Sequence, residues 1–406
     1  MKFADILDHT EVKDKLSHLI AEGRLPHALL LLGQEGCGAL PMALAIAQNL
    51  VCEKRHGKKA SDDLFAAPSM FGDAPAASEQ LENLRDACGT CPACHKANQF
   101  IHPDIHFTFP AIKTDKKKEG VSAEWITEWR KALHDNPYLG YSQWLTYLDA
   151  ENKQGNIPVK ECHEIIRQLN LKTFESNFKI QIIWMAEFLG GEGNTLLKTL
   201  EEPPENTVII LVAENAEMLL NTILSRTQII KLNAIDDHLL GKFLQSKFDM
   251  PEADALRIAR ISDGNVNAAF DYAEGAAHPT ERMLRDWLSA CLRMGLPKHE
   301  AEASEKIMSL TDQFAKAGRE GQKVFLKYFL WFLREVNLLR VGVPSQKLEG
   351  AELEFGQKLA GVITTAGVSE LERAINDLHY HVTRNANPKI VFTATSVKLA
   401  RALRIR

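Results

Sequence analysis

Seven of the 406 residues are cysteines, and three of them fall in one short stretch, Cys88-x-x-Cys91-x-x-Cys94. Two-residue spacings let thiolates converge on a single tetrahedral zinc ion, and four protein ligands leave no open position, so such a site is structural rather than catalytic. Cys52 stands upstream as the fourth ligand. The interval between Cys52 and Cys88 is long and loop-like, which keeps His56 and His95 as alternatives. Cys37, Cys162 and Cys291 are isolated. In a reducing compartment, clustered cysteines read as a metal site and not as disulfides.

A second constellation is the glycine turn Gly33-Gln-Glu-Gly36-Cys-Gly38-Ala39-Leu40-Pro41. A working phosphate-binding loop reads G-x-x-x-x-G-K-[ST]. Its glycines let backbone N–H groups cradle phosphates at a helix N-terminus, its lysine reaches the β- and γ-phosphates, and its hydroxyl holds magnesium. Here Gly33 and Gly38 keep the frame, but Ala39 stands at the lysine position and Leu40 at the hydroxyl position. The loop shape is expected to survive without tight nucleotide binding and without catalysis in cis. The other half of such a site needs an acidic residue at a neighbouring strand tip. The strand ending at Met185-Ala186 has none, and Glu187 lies past the tip, where it reads equally well as a surface carboxylate. Ser225-Arg226-Thr227 supplies a third candidate. An arginine at a domain edge can act in trans on a neighbour's phosphates, stabilising transition-state charge. Taken alone, it reads as a structural ion pair.

The elements that must position these residues follow from hydrophobic period. Residues 28–32 (ALLLL) are a short apolar run that reads as a buried parallel strand, and a helical pattern covers 42–51. Strand, glycine turn and helix form the opening unit of a P-loop α/β domain. Further strands are expected at 105–109, 180–185, 208–212 and 228–232, and helices at 159–171, 195–200 and 216–224. Alternation of strands and helices implies a five-strand parallel sheet with helices on both faces. A polar stretch at 53–87 reads as a loop leading into the cysteines. Residues 110–157 hold the lysine run 116–118, which reads as a solvated loop, and six aromatics from Trp125 to Tyr147. The helical spacing of Trp125 and Trp129 favours packing over base stacking. After residue 232 the strands stop. Boundaries near 232 and 276 divide the chain into an α/β core (1–232, with a zinc insertion at about 52–95), a helical lid (233–275) and an all-α domain (276–406).

Composition bounds the function. At 45% hydrophobic and 25% charged the chain is of ordinary globular type, and its net charge of -5 gives no global basic footprint for nucleic acid. No apolar run is long enough to span a bilayer, and the first residues lack a signal-peptide core, so a cytosolic protein with no membrane partner is expected.

Several strings together resemble the clamp-loader branch of the AAA+ proteins. Gly23-Arg-Leu-Pro26-His27-Ala28 resembles the segment before that family's P-loop, and the cysteine cluster followed by His102-Pro103-Asp104 resembles its zinc module. Asn194-Thr-Leu-Leu-Lys198-Thr-Leu-Glu201-Glu202-Pro203-Pro204 matches the family's N-x-L-L-K-x-L-E-E-P-P, and Ser225-Arg226-Thr227 is similar to its Ser-Arg-Cys. Ile261-Ser-Asp-Gly264-Asn-Val-Asn267 looks like the sensor-2 turn, with Asn267 where active members carry arginine, and Asn385-Ala-Asn387-Pro388-Lys389 resembles the start of a late collar helix. The resemblance implies an AAA+ core with a helical lid and a C-terminal helical collar. It also implies structural zinc on Cys52, Cys88, Cys91 and Cys94, and partners among gamma, tau and delta subunits, with the sliding clamp and primed DNA reached through the assembly. An intact Ser-Arg pair beside a degenerate P-loop resembles the non-hydrolysing branch, in which Arg226 with Ser225 would serve a neighbouring ATPase subunit. Residues 110–157 match nothing in the family's pattern. Two other readings are an active AAA+ ATPase of the clamp-loader or helicase type and a zinc-ribbon nucleic-acid binder. Ala39, Leu40 and Asn267 oppose the first, and the net charge opposes the second.

Overall fold

The computed structural model describes residues 1–57, 86–115, 117–150, 154–274, 280–294, 298–345, 347–384 and 386–405. Most of the loop read at 53–87 lies outside these residues, as do Lys116 and Asn385. The chain divides into two compact units, Met1–Leu240 with Gly264–Asn267, and Gly241–Asp263 with Ala268–Arg406.

The first unit is built on a five-stranded sheet. Its strands are β1 (Ala28–Leu32), β2 (Ile105–Thr108), β3 (Lys179–Trp184), β4 (Thr207–Ala213) and β5 (Gln228–Lys231), in the order β2-β3-β4-β1-β5. All four pairings are parallel, with Ala28 opposite Ile209 and Ile180 opposite Val208. Parallel neighbours need crossover connections, and helices supply them. Side chains alternate across a strand, and β1 shows the consequence. Leu29 and Leu31 join the core beneath the helix Ala39–Val51, whereas Ala28 and Leu30 join the core beneath the helix Val159–Leu169. Burial on both faces is why β1 and, after Thr207, β4 read as continuous apolar runs.

Differences from the sequence reading sit at element ends. β3 runs Lys179–Trp184, and Met185 turns out of it with φ 55°. The helix expected to reach 171 stops at Leu169. The helix expected at 195–200 is the five-residue turn Leu197–Glu201, preceded by a 3-10 stretch that breaks at Gly190 (φ 48°, ψ -138°). The helix expected over 216–224 divides into Ala216–Met218 and Asn221–Leu224, because Leu219 and Leu220 are extended.

Residues 110–157 are an integral part of this unit. Trp129 and Trp144 are fully buried, Trp129 stacks on Phe109 at 4.3 Å, and the Trp144 and Trp125 indoles donate to the carbonyls of Pro110 (2.7 Å) and Ile112 (3.1 Å). Lys117 is not simply solvated, since it sits 3.5 Å over the Trp125 ring and pairs with Glu128 at 2.5 Å.

The second unit is helical throughout its described residues. Trp287 stacks on Phe392 at 4.2 Å and donates to the Ser396 hydroxyl at 2.8 Å. Asn387 caps the helix Pro388–Ala402, whose first residue is the proline that a helix start tolerates.

Candidate functional site

The glycine turn leaves β1 at Gly33 and enters the helix Ala39–Val51 through Gly38. Two of its glycines are required by geometry. Gly38 caps the helix at φ 101°, and Gly36 has φ 72° with so little room that a Cβ there would lie 2.1 Å from the Asn265 side-chain oxygen. Ala39 and Leu40 turn into the apolar core. Cys37 is buried, which pushes its thiol up to about 11, and its carbonyl accepts from His9 Nε2 at 2.7 Å.

Little space remains over the loop. A cavity of about 20 Å³ remains, lined among others by Gly36, Gly38, Tyr138, Leu139, Trp184 and Glu214. Ligand pockets run to roughly 300–1,000 Å³, whereas a cavity of this size holds about one water. Tyr138 and its neighbours come from the segment 110–157. The Tyr138 hydroxyl accepts from the Leu7 N–H at 2.9 Å, and its burial pushes the phenol up to about 12. Asn267, 2% exposed, donates to the Tyr138 carbonyl (2.8 Å) and to Glu35 (3.3 Å) and accepts from Asn136 (2.7 Å).

At the tip of β3, Trp184 and Met185 line the cavity, and the carboxylates nearest it are Glu35 of the loop and Glu214 just past β4. Glu187 is not a surface carboxylate. It is 8% exposed, and one oxygen accepts the N–H groups of Glu214 and Asn215 (2.8 Å), which fixes the chain as it leaves β4. Burial, with the charges of Glu35 and Glu187 nearby, pushes the Glu214 carboxyl up to about 7.

The opposite end of the helix Ala39–Val51 carries Cys52 as its C-cap. The sulfurs of Cys52, Cys88, Cys91 and Cys94 lie within 4.8 Å of one another. Tetrahedral zinc–sulfur geometry requires sulfur separations of roughly 3.8 Å, and Cys88 and Cys94 stand 3.8 Å apart. Backbone N–H groups point at three of the sulfurs, from Cys88 to Cys52 (3.3 Å), from Cys91 to Cys88 (3.3 Å) and from Cys94 to Cys91 (3.4 Å). Such donors stabilise thiolate charge. A hydrogen bond between Cys94 and Cys52 pulls the Cys52 thiol down to about 4 and pushes Cys94 up. His56 and His95 are outside the cluster. His56 packs on Phe178 with ring centroids 5.4 Å apart, and His95 is exposed. The four thiolates therefore fit a closed tetrahedral metal site, which would tie residues 86–98 to the helix end.

Arg226 follows the short helix Asn221–Leu224. Its guanidinium donates to Glu201 (Nε, 2.5 Å), to the Thr222 carbonyl (2.9 Å) and to the Ser225 hydroxyl (3.2 Å). Glu201 belongs to the proline-terminated string 194–204, so two of the strings singled out in the sequence meet at this edge.

Comparison with known families matches residues 8–64 and 64–236 to the family described as DNA polymerase III, delta subunit. The chain belongs to the DNA polymerase III delta subunit family. The clamp-loader resemblance read from the sequence strings agrees with this membership. The chain is similar to DNA polymerase III subunit gamma of Buchnera aphidicola (strain APS), 22% identical over 353 residues, covering 82% of this chain and 77% of that protein. It is also similar to DNA polymerase III subunit delta' of Haemophilus influenzae, 24% identical with 67% and 63% covered, and of Escherichia coli, 23% identical with 64% and 59% covered. The matches to these two delta' proteins thus span less than two thirds of their length. The fold is the one expected of this family, a P-loop α/β core on a five-strand parallel sheet with helices after it. No helix among the described residues is long and apolar enough to cross a membrane.

Sequence reasoning missed two contributors to the pocket. Nothing local in Asn136-Pro137-Tyr138-Leu139-Gly140 beyond its turn-forming residues announces what it packs against, and Glu35 reads in the sequence only as a position of the glycine turn.

Proposed function

We propose that this chain is a delta-prime-type, non-catalytic subunit of a bacterial clamp loader, which helps to load the sliding clamp onto primed DNA within the cytoplasmic replicase. The observation that carries this reading is the phosphate-binding loop, whose backbone frame is intact while its lysine and hydroxyl positions, Ala39 and Leu40, are core residues beneath a cavity of only about 20 Å³. Such a subunit contributes to ATP chemistry only in trans. Ser225 and Arg226 lie at an edge of the α/β unit, where a planar guanidinium can address the phosphates of an adjacent gamma- or tau-type subunit. To do so Arg226 leaves Glu201, an exposed pair that holds it weakly.

In this reading Cys52, Cys88, Cys91 and Cys94 hold a structural zinc ion, whose bound form closes the insertion without an open coordination site. Residues 233–275 serve as the helical lid, and residues 276–406 as the collar through which the subunit assembles with gamma, tau and delta subunits. Clamp and DNA are contacted through the assembly, consistent with a net charge of -5. Titration of the isolated chain with ATP and magnesium tests the reading. No tight binding and no turnover are expected, together with co-purification of loader subunits in a pull-down. Magnesium-dependent turnover abolished by a Gly38 substitution would refute it.

A further inference from the structure

We propose that residues 136–140 are an intramolecular occupant of the nucleotide pocket, and that this plug excludes nucleoside triphosphates in addition to the missing lysine and hydroxyl. The inference rests on reading residues 33–40 as a degenerate phosphate-binding loop. It adds what fills the loop and gives the segment 110–157 a role that its sequence does not announce.

The plug lies close against the glycine loop. A Cβ on Gly38 would lie 3.4 Å from the Tyr138 ring, and a Cβ on Gly140 would lie 2.2 Å from a Glu35 carboxylate oxygen. Any side chain at 140 would therefore displace Glu35, so glycine is what lets the plug backbone come this near the loop. The plug also ties the loop to the 264–267 turn. The Gly36 carbonyl accepts from Val266 N–H at 3.2 Å, and Asn267 is shared among Asn136, Tyr138 and Glu35.

Its own conformation is fixed from within. The Asn136 side chain accepts from Tyr138 N–H (3.0 Å) and donates to Gln143 (3.0 Å), and the Gly140 N–H donates to Gln143 (3.4 Å). Both flanking helices, Ile126–Asp135 and Tyr141–Tyr147, are seated by the buried Trp129 and Trp144. A tethered, preorganised occupant competes at a fixed and high effective concentration, so a ligand must displace it before binding. Asn267, the polar group that faces the loop, is satisfied by the plug through Asn136 and Tyr138, and it in turn donates to Glu35.

The test uses full-length proteins and a fluorescent N-methylanthraniloyl-ATP with magnesium. Wild type, A39K/L40T, Y138A/L139A and the four-site combination are titrated in parallel, and hydrogen exchange of amides 36–40 is followed in wild type, Y138A/L139A and the milder Asn136→Ala. The expected result is negligible binding by A39K/L40T, binding at least about tenfold tighter in the combination, and faster exchange at 36–40 in both plug variants. Equal binding by A39K/L40T and the combination would overturn the plug while leaving the degenerate-loop reading intact. Unchanged exchange at 36–40 in Asn136→Ala and Y138A/L139A would also overturn it, even if no variant binds nucleotide. Tight binding by the wild type would instead overturn the degenerate-loop reading on which the plug rests.

Discussion

The two ends of the helix Ala39–Val51 carry a glycine loop without the lysine and hydroxyl of the phosphate-binding pattern and a cluster of four cysteines. At its N-terminus the P-loop keeps its shape without its chemistry, because Gly36 and Gly38 answer to backbone geometry and close packing, which a core can demand whether or not a nucleotide binds. At its C-terminus Cys52 completes a four-sulfur cluster, and there shape and chemistry are inseparable, since a tetrahedral site lacking one donor is no longer closed. A glycine frame can thus be held by packing alone, whereas a closed ligand set needs all of its members.

That contrast predicts unequal responses to single substitutions. Cys91→Ser carries the largest expected effect. It should release about one zinc per chain and expose residues 86–98 to protease, because the binding energy of structural zinc is folding energy for the segment it ties down. Elemental analysis and limited proteolysis read this out, and freshly purified, reduced protein without zinc would contradict it. Zinc retained in Cys52→Ser would move the fourth ligand to a histidine.

Tyr138→Ala at the other end should cost about 3 kcal/mol in urea denaturation, as emptying a buried aromatic site does. A cost near zero would mean that the plug contributes nothing to the fold.

Glu214 sharpens the comparison electrostatically. Its carboxyl is raised from an ordinary 4.5 to about 7 in the folded state. A raised carboxyl holds its proton more tightly folded than unfolded, so its contribution is fully present below 4.5 and lost as pH rises through about 7. Glu214→Gln should remove that decline and stabilise the protein at pH 8 relative to wild type, by about 1–2 kcal/mol after allowance for solvent. Parallel stability–pH curves for the two proteins would refute the assignment.

How far these regions were legible in the sequence follows the same division. The bounds of β1 read directly from ALLLL between a proline-histidine pair and Gly33, because a strand buried on both faces is a plain apolar run. The P-loop frame and the cysteine spacings read directly as well, being local patterns. What did not read were relations between distant residues. Glu187 looks like a surface carboxylate until the chain leaving β4 turns two amides onto it. The spacing already favours Cys52 as the fourth ligand, but only the cluster in space sets His56 and His95 outside it. The segment 136–140 carries ordinary turn residues, and its burial over Gly38 is set by packing from Trp129 and Trp144.

Arg226 is where the smallest structural effect meets the largest functional claim. Its ion pair with Glu201 is half-exposed, so Arg226→Ala should change stability by about 0.5 kcal/mol or less. The most direct test of the central claim is the clamp- and DNA-stimulated ATPase of a reconstituted loader containing wild-type or Arg226→Ala subunit, with assembly checked by gel filtration. The account predicts fully assembled complexes whose ATP hydrolysis falls at the one site this subunit completes, with poor rescue by Arg226→Lys because an ammonium cannot reproduce the guanidinium fork. Equal ATPase and clamp loading in fully assembled complexes would contradict it.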